Sequence, residues 1–267
     1  MEVFYFTNKI GKKIFGVYHN PITLRNSKIG IVICNPVGQE YIRCYYAILE
    51  LAKRLSEKGF HVLRFDYYGT GESDGGAEDL SFDGMVGDIE NAIREIKVGT
   101  QVDNIYLIGL RLGAALALKA STDTRVNAIV MWSPILNGES YLKELKNINS
   151  FYNHNWLNGT IEKQLQNKDN SFESLGFLVS KSLHRDIINI DLFKEKLDKN
   201  IKMLMLDTTN SDAKKFYKWF LDTSYHITAM SIQNERFWLK NENEMEKSLI
   251  PIKDIDSIIS WINKIQK

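Results

Sequence analysis

Apolar positions along this chain switch repeatedly between a period of two and a period near 3.6, and the switches predict its elements. The first residues alternate as VFYFTN and KKIFGVYHN around Gly11, which reads as a β-hairpin. KIGIVICN follows as a continuous apolar run rich in β-branched residues. That is the pattern of a strand buried on both faces, and it ends in the polar loop NPVGQEY. Cys44, Ile48, Leu51, Ala52 and Leu55 recur at spacings of four, three, one and three, one face of a helix that Gly59 stops. The unit then repeats. FHVLRFD is a strand, YYGTGESDGG a glycine-rich loop, and Phe82, Val86, Ile89, Ile93 and Ile96 line a helix that Ser81 can cap. NIYLIGL runs straight into the short helix LGAALALKA, and RVNAIVMWSP is the next strand. Strands alternating with helices predict an α/β fold with a mostly parallel central sheet flanked by helices.

From about Ile135 to Asn200 the pattern changes. Polar residues dominate, strand signals fade, and ESYLKELKN and KSLHRDIINIDLF read as short helices with a loose segment between them. An insertion of this size between two sheet strands is either a helical lid over the carboxyl edge of the sheet or a peripheral decoration. The sheet pattern resumes with IKMLMLD, the amphipathic DAKKFYKWFLD and the strand YHITAMSI. Ile255, Ile258, Ile259 and Ile262 form a closing helix after Pro251. No internal repeat or low-complexity linker is present. The organisation expected is one core built from residues 1–134 and 201–267, with residues 135–200 as a lid or cap insertion.

Composition narrows the function classes. Hydrophobic residues are 44% and charged residues 25% of the 267, the balance of a folded globular chain. A formal net charge of +1 gives no electrostatic case for nucleic acid. No apolar run approaches the roughly 20 residues of a membrane span, and no leader pattern opens the chain, so the cytoplasm is the expected location. Cys34 and Cys44 are too few for a disulfide framework or a cysteine zinc site, and no cofactor or metal is expected. Gly69 and Gly71 lack the spacing of a dinucleotide fingerprint and are explained by tight turns.

The chemistry concentrates in NIYLIGLRLGAALAL. A strand ends at Leu110, a helix begins near Leu112, and Gly109 and Gly113 flank Arg111. This is the form of a nucleophile elbow, G-x-S-x-G, with arginine where the attacking residue stands. A guanidinium stays protonated and has no nucleophilic lone pair, so ordinary serine-hydrolase chemistry is excluded at this position. Three roles remain for Arg111: holding a carboxylate or phosphate, with help from the helix N-terminus; pairing with an internal carboxylate that plugs the site; or electrostatic catalysis. Asp207, closing IKMLMLD, stands where a triad acid stands and is the most obvious internal partner for Arg111. No histidine follows YHITAMSI. His226 falls inside that strand, His61 opens a strand, and His154 and His184 lie in the insertion. Glu235 and Trp238 occupy the loop that would carry the base; Glu235 is a second candidate partner for Arg111, and Trp238 a candidate pocket wall. In NPVGQEYIR, Val37 or Gly38 would supply a backbone N–H to an oxyanion hole together with Leu112. Glu40 and Arg43 read more readily as an ordering ion pair than as ligand contacts.

NPVGQEY, RFDYYGTGESDG and the elbow from Gly109 to Gly113 resemble successive landmarks of the α/β-hydrolases, in the serine aminopeptidase-like or monoglyceride-lipase-like group. The chain is more closely similar to hydrolase-like proteins of exosortase and exopolysaccharide gene systems, some with G-L-R-x-G at the elbow; WSPILNGESYLKEL, ESLGFLVSKSL and ERFW carry that likeness. The resemblance implies an α/β-hydrolase fold with Arg111 at the nucleophile position. It also implies Asp207 as acid, Leu112 and Gly38 as oxyanion contributors, and no residue in the histidine role. The function expected is that of a catalytically degenerate protein. It would bind a small anionic or acylated ligand, or a biosynthetic partner protein, in an exopolysaccharide or secondary-metabolite pathway. The alternatives are an acyl hydrolase or transferase that uses Arg111 electrostatically, and a pure scaffold.

Overall fold

A computed structural model describes residues 1–23, 28–156, 171–195, 198–207, 211–223, 226–231, 236–239 and 250–266. The opening alternation forms β1 (Glu2–Thr7) and β2 (Lys13–His19), an antiparallel pair in register from Glu2 opposite Tyr18 to Thr7 opposite Lys13. The continuous apolar run is β3 (Ile29–Cys34), buried at every position. It is followed by α1 (Gly38–Glu57), β4 (His61–Phe65), α2 (Phe82–Thr100), β5 (Asn104–Leu110), α3 (Leu112–Asp123) and β6 (Ala128–Trp132). Ser81 caps α2 as its sequence position predicts, accepting from the Gly84 N–H. After the insertion come β9 (Lys202–Asp207), α6 (Ser211–Asp222), β10 (His226–Ser231) and α7 (Ile252–Ile265).

These strands make one eight-stranded sheet in the order β1-β2-β4-β3-β5-β6-β9-β10. β2 meets β4 antiparallel, and from β4 to β10 every neighbouring pair is parallel. One face of the sheet packs Ile89 of α2, Leu116 of α3 and Phe216 of α6; the other packs Leu51 and Leu55 of α1 and Ile255 and Ile258 of α7. Covering both faces is what a parallel sheet of near-continuous apolar strands requires. Among the described residues, no helix is long and apolar enough to cross a membrane.

The insertion between β6 and β9 holds α4 (Gly138–Trp156), β7 (Phe172–Ser174), β8 (Phe177–Val179) and α5 (Lys181–Ile188). β7 and β8 form a hairpin where the sequence reads as a loose segment. Strands of three residues are too short to show a period of two. Leu175 (φ 50°) and Gly176 (φ 86°) make its turn with positive φ at both central residues, as tight hairpin turns require. The Asn149 side chain accepts from the Leu175 N–H, and Ser174 Oγ donates to the Leu145 carbonyl, so α4 holds the hairpin. The second expected helix stops early: Asn189 ends α5, and a separate single turn covers Leu192–Lys194. Tyr141, Leu183 and Ile187 join the same apolar cluster as α2 and α3, so the insertion shares the core of the sheet.

Candidate functional site

The turn from β5 to α3 has the backbone of an elbow. Arg111 adopts φ 56° and ψ −120°, a conformation that costs a non-glycine residue on the order of 1–3 kcal/mol. Its neighbours hold it there: the Arg111 N–H donates to the Trp132 carbonyl at 2.9 Å, and the Ala114 N–H donates to the Arg111 carbonyl at 3.1 Å. The flanking glycines are steric requirements. A Cβ on Gly113 would stand 2.1 Å from the Cys34 carbonyl oxygen, and one on Gly109 would stand 2.4 Å from Ala114 Cα. The sequence spacing around Arg111 is therefore what lets α3 leave β5 while pressed against the end of β3.

Arg111 is 6% exposed. Its Nε donates to Glu40 Oε1 and its Nη2 to Glu144 Oε2, each at 2.8 Å. Tyr141 Oη donates to Glu40 Oε2 at 3.0 Å. The guanidinium carbon lies 4.9 Å from the ring centre of Trp238 and 5.6 Å from that of Tyr141, within cation–π range of both. Glu40 comes from the first turn of α1, Tyr141 and Glu144 from adjacent turns of α4, and Trp238 from the segment before α7. Trp238 offers the cation its ring face, and its buried Nε1 makes no hydrogen bond among the described residues. At the rim, Arg236 Nη1 lies 4.0 Å from Glu144 Oε1.

Burial alone would disfavour the Arg111 charge, but Glu40 and then Glu144 outweigh it and hold the group above its already high range. Burial pushes the Glu40 carboxyl upward, against the pull of Arg111 and the Tyr141 hydroxyl. Burial, then Glu40, raises the Tyr141 phenol, which stays protonated and can donate. The unit is a cation enclosed by two carboxylates and two rings.

Several sequence expectations change here. The carboxylates on Arg111 are Glu40 and Glu144, in place of Asp207. Asp207, at the end of β9, lines a separate cavity of about 150 Å³ with Lys214, Tyr217 and Ser231. Glu40 pairs with Arg111 across the fold, not with Arg43 in the expected local ion pair. Glu235 lies outside the described residues. Trp238 lines a cavity and packs its ring on the guanidinium. Gly38 begins α1 and lines that cavity, and Leu112 begins α3 fully buried. His226 opens β10 on the exposed surface, His61 pairs with the Tyr18 hydroxyl, and the His184 ring packs edge-on to Phe172. Tyr141 and Glu144 were missed, because on α4 their residue types do not separate them from a solvated helix face.

Other nucleophiles at this edge lack activation. Ser133, just after β6, is buried, and its Oγ makes no hydrogen bond among the described residues. Burial pushes the Cys34 thiol far up, away from the reactive thiolate. Among the described residues, no group of three or more His, Cys, Asp or Glu could hold a metal ion.

Beside the Arg111 cluster lies a cavity of about 220 Å³. Its floor is the start of α1 from Val37 to Tyr41 with Gly69 to Gly71, and its roof is the insertion, through Leu145, Ile148, Phe177, Val179, Leu183 and Ile187. Glu40, Tyr141 and Trp238 belong to both the cluster and the cavity wall, whereas Arg111 does not line the cavity.

The family model for serine aminopeptidase, S33, matches residues 28–194, more than half the chain. The chain belongs to the serine aminopeptidase S33 family. The S33 match spans β3 through the insertion, so both the elbow and the cavity roof fall within it. No curated protein matches the sequence. The S33 chain is similar in structure to Est1E from Butyrivibrio proteoclasticus with bound ferulic acid (18% identity, TM-score 0.68, 99% of this chain and 100% of that one). It is also similar to a thermostable carboxyl esterase from Bacillus coagulans in complex with glycerol (17%, 0.66, 99% and 98%) and to a putative hydrolase from Agrobacterium vitis S4 (15%, 0.66, 100% and 99%). At these identities the likeness establishes the hydrolase fold.

Proposed function

We propose that this S33-family chain is a catalytically degenerate hydrolase that binds a small acylated or otherwise apolar ligand in the cavity beneath its insertion. One observation carries the reading: the side chain at the nucleophile position is a buried guanidinium already paired with Glu40 and Glu144. Of the three roles open to Arg111, internal pairing is the one the geometry supports. An anionic ligand would have to displace a carboxylate, and electrostatic catalysis would need the guanidinium open to substrate. A pure scaffold would not need an enclosed apolar cavity at the sheet edge.

Est1E with bound ferulic acid and the carboxyl esterase in complex with glycerol support the view that a protein of this fold accepts small molecules. A cytoplasmic role in exopolysaccharide or secondary-metabolite biosynthesis, alone or beside a partner protein of that pathway, belongs to the same proposal. It rests on the likeness of the elbow, the insertion and ERFW to the exosortase-associated proteins.

The test is turnover of p-nitrophenyl butyrate. The wild-type protein is expected to show no rate above buffer, and Arg111→Ser to show none either, because among the described residues no histidine stands at the elbow to activate the new hydroxyl. Robust wild-type turnover that is lost in Arg111→Ala would overturn the reading.

A further inference from the structure

We infer that the occupant of the cavity is an uncharged molecule and that the site rejects a free carboxylate. The inference rests on the binding reading above and adds the charge of the ligand to it. Glu40 is the one charged residue among the described residues that line the cavity, and it is an acid. The nearest cation to it, Arg111, does not line the cavity, and its charge faces Glu40 and Glu144 together. Those two carboxylates outnumber the guanidinium they enclose. Among the described residues, the other cation at the cluster is Arg236, 4.0 Å from Glu144 on the exposed rim.

An ionised carboxylate entering this space would lose its water and meet Glu40, and among the described residues no cation lines the cavity to offset either cost. The N-terminus of α1, which would otherwise attract an anion, already has Glu40 in its first turn. A protonated amine would have to leave its water in a lining that is otherwise uncharged, and each Glu40 oxygen there already accepts a hydrogen bond, one from Arg111 and one from Tyr141. What remains for a ligand is the apolar roof and the neutral polar groups of Gln39, Thr70 and Ser174. These suit an amide, ester or alcohol head on a short apolar body. The volume of about 220 Å³ lies below the roughly 300–1,000 Å³ of drug-sized pockets, which limits the body to a medium chain or a single ring.

Titration calorimetry of the full chain at pH 7.5 with octanamide, octanoate and octylammonium tests this. Octanamide is expected to bind at least tenfold more tightly than either ion. Octanoate binding as tightly as the amide overturns the inference by showing an open anion site, and preferential binding of octylammonium overturns it by showing an available Glu40. Both outcomes leave the binding reading standing; binding of none of the three removes that reading and this inference with it. Glu144→Gln, altered at a partly exposed position, takes one negative charge from the cluster and is expected to raise octanoate affinity at least fivefold while octanamide changes less than twofold. Equal changes for both ligands would contradict the electrostatic origin of the preference.

Discussion

Among the described residues two arginines are almost fully buried, and their surroundings solve the same problem in opposite ways. Arg64, on β4 and 7% exposed, directs its Nε to His19 Nε2 at 3.0 Å and lies 5.7 Å from the Tyr45 ring centre. Its acceptor is a neutral imidazole, and His19 is kept neutral: burial first, then Arg64, pulls its pKa down to about 4. Arg111 is 6% exposed and is met instead by two carboxylates drawn from different parts of the fold. Arg64 is accommodated within the sheet by β2 and a neighbouring helix, whereas the partners of Arg111 tie the insertion to α1. The difference teaches that the charge at the elbow is compensated by the protein itself, and that the compensation doubles as the attachment of the lid-like insertion.

The comparison can be broken first at Arg111. Arg111→Ala leaves Glu40 buried beside Glu144 without its cation, and removal of one partner of a buried pair costs about 3–5 kcal/mol. Urea unfolding should show a loss in that range, and a loss below about 1 kcal/mol would mean the pair is not buried in solution.

The Arg64 region should respond to pH. The folded state holds His19 at a pKa of about 4 against an ordinary 6.5, so it binds fewer protons than the unfolded chain between those values. The contribution is fully present above pH 6.5 and is lost as pH falls toward 4. Stability of His19→Gln should vary less with pH across this window than the wild type does; parallel pH curves would remove His19 from the account.

Smaller effects sharpen the contrast. Glu144 is 27% exposed, so Glu144→Gln should cost about 1 kcal/mol in the same urea measurement, well below the cost of losing Arg111. Arg236 is 57% exposed and 4.0 Å from Glu144, and Arg236→Ala should cost under about 0.5 kcal/mol. A larger penalty at Arg236 than at Glu144 would invert the expected gradient from core to rim.

The elbow was legible in the sequence because its constraints are local. A strand, two glycines and a small-residue helix are consecutive; Gly109 is needed where the first turn of α3 folds back on the strand, and Gly113 where that turn passes the end of β3. The sheet was legible for the same reason: its central strands are continuous apolar runs, buried at nearly every position. The partners of Arg111 were not. Glu40 lies 71 residues upstream and Glu144 33 residues downstream, and a single acidic residue on an amphipathic helix carries no mark of what it meets across the fold. Asp207 stands where the resemblance assigns the acid, yet the charge at the elbow is met from α1 and α4. The β7–β8 hairpin escaped notice because three-residue strands leave no periodic trace.

The central claim is that the Arg111 guanidinium is occupied from within. Proton–nitrogen correlation spectra of the arginine Nε groups at pH 7.5 test it directly, with the signal assigned by its loss in Arg111→Lys. The account predicts a slowly exchanging Arg111 Nε–H whose position does not move on titration with acetate or phosphate. Rapid exchange with solvent, or a saturable shift on adding either anion, would contradict it.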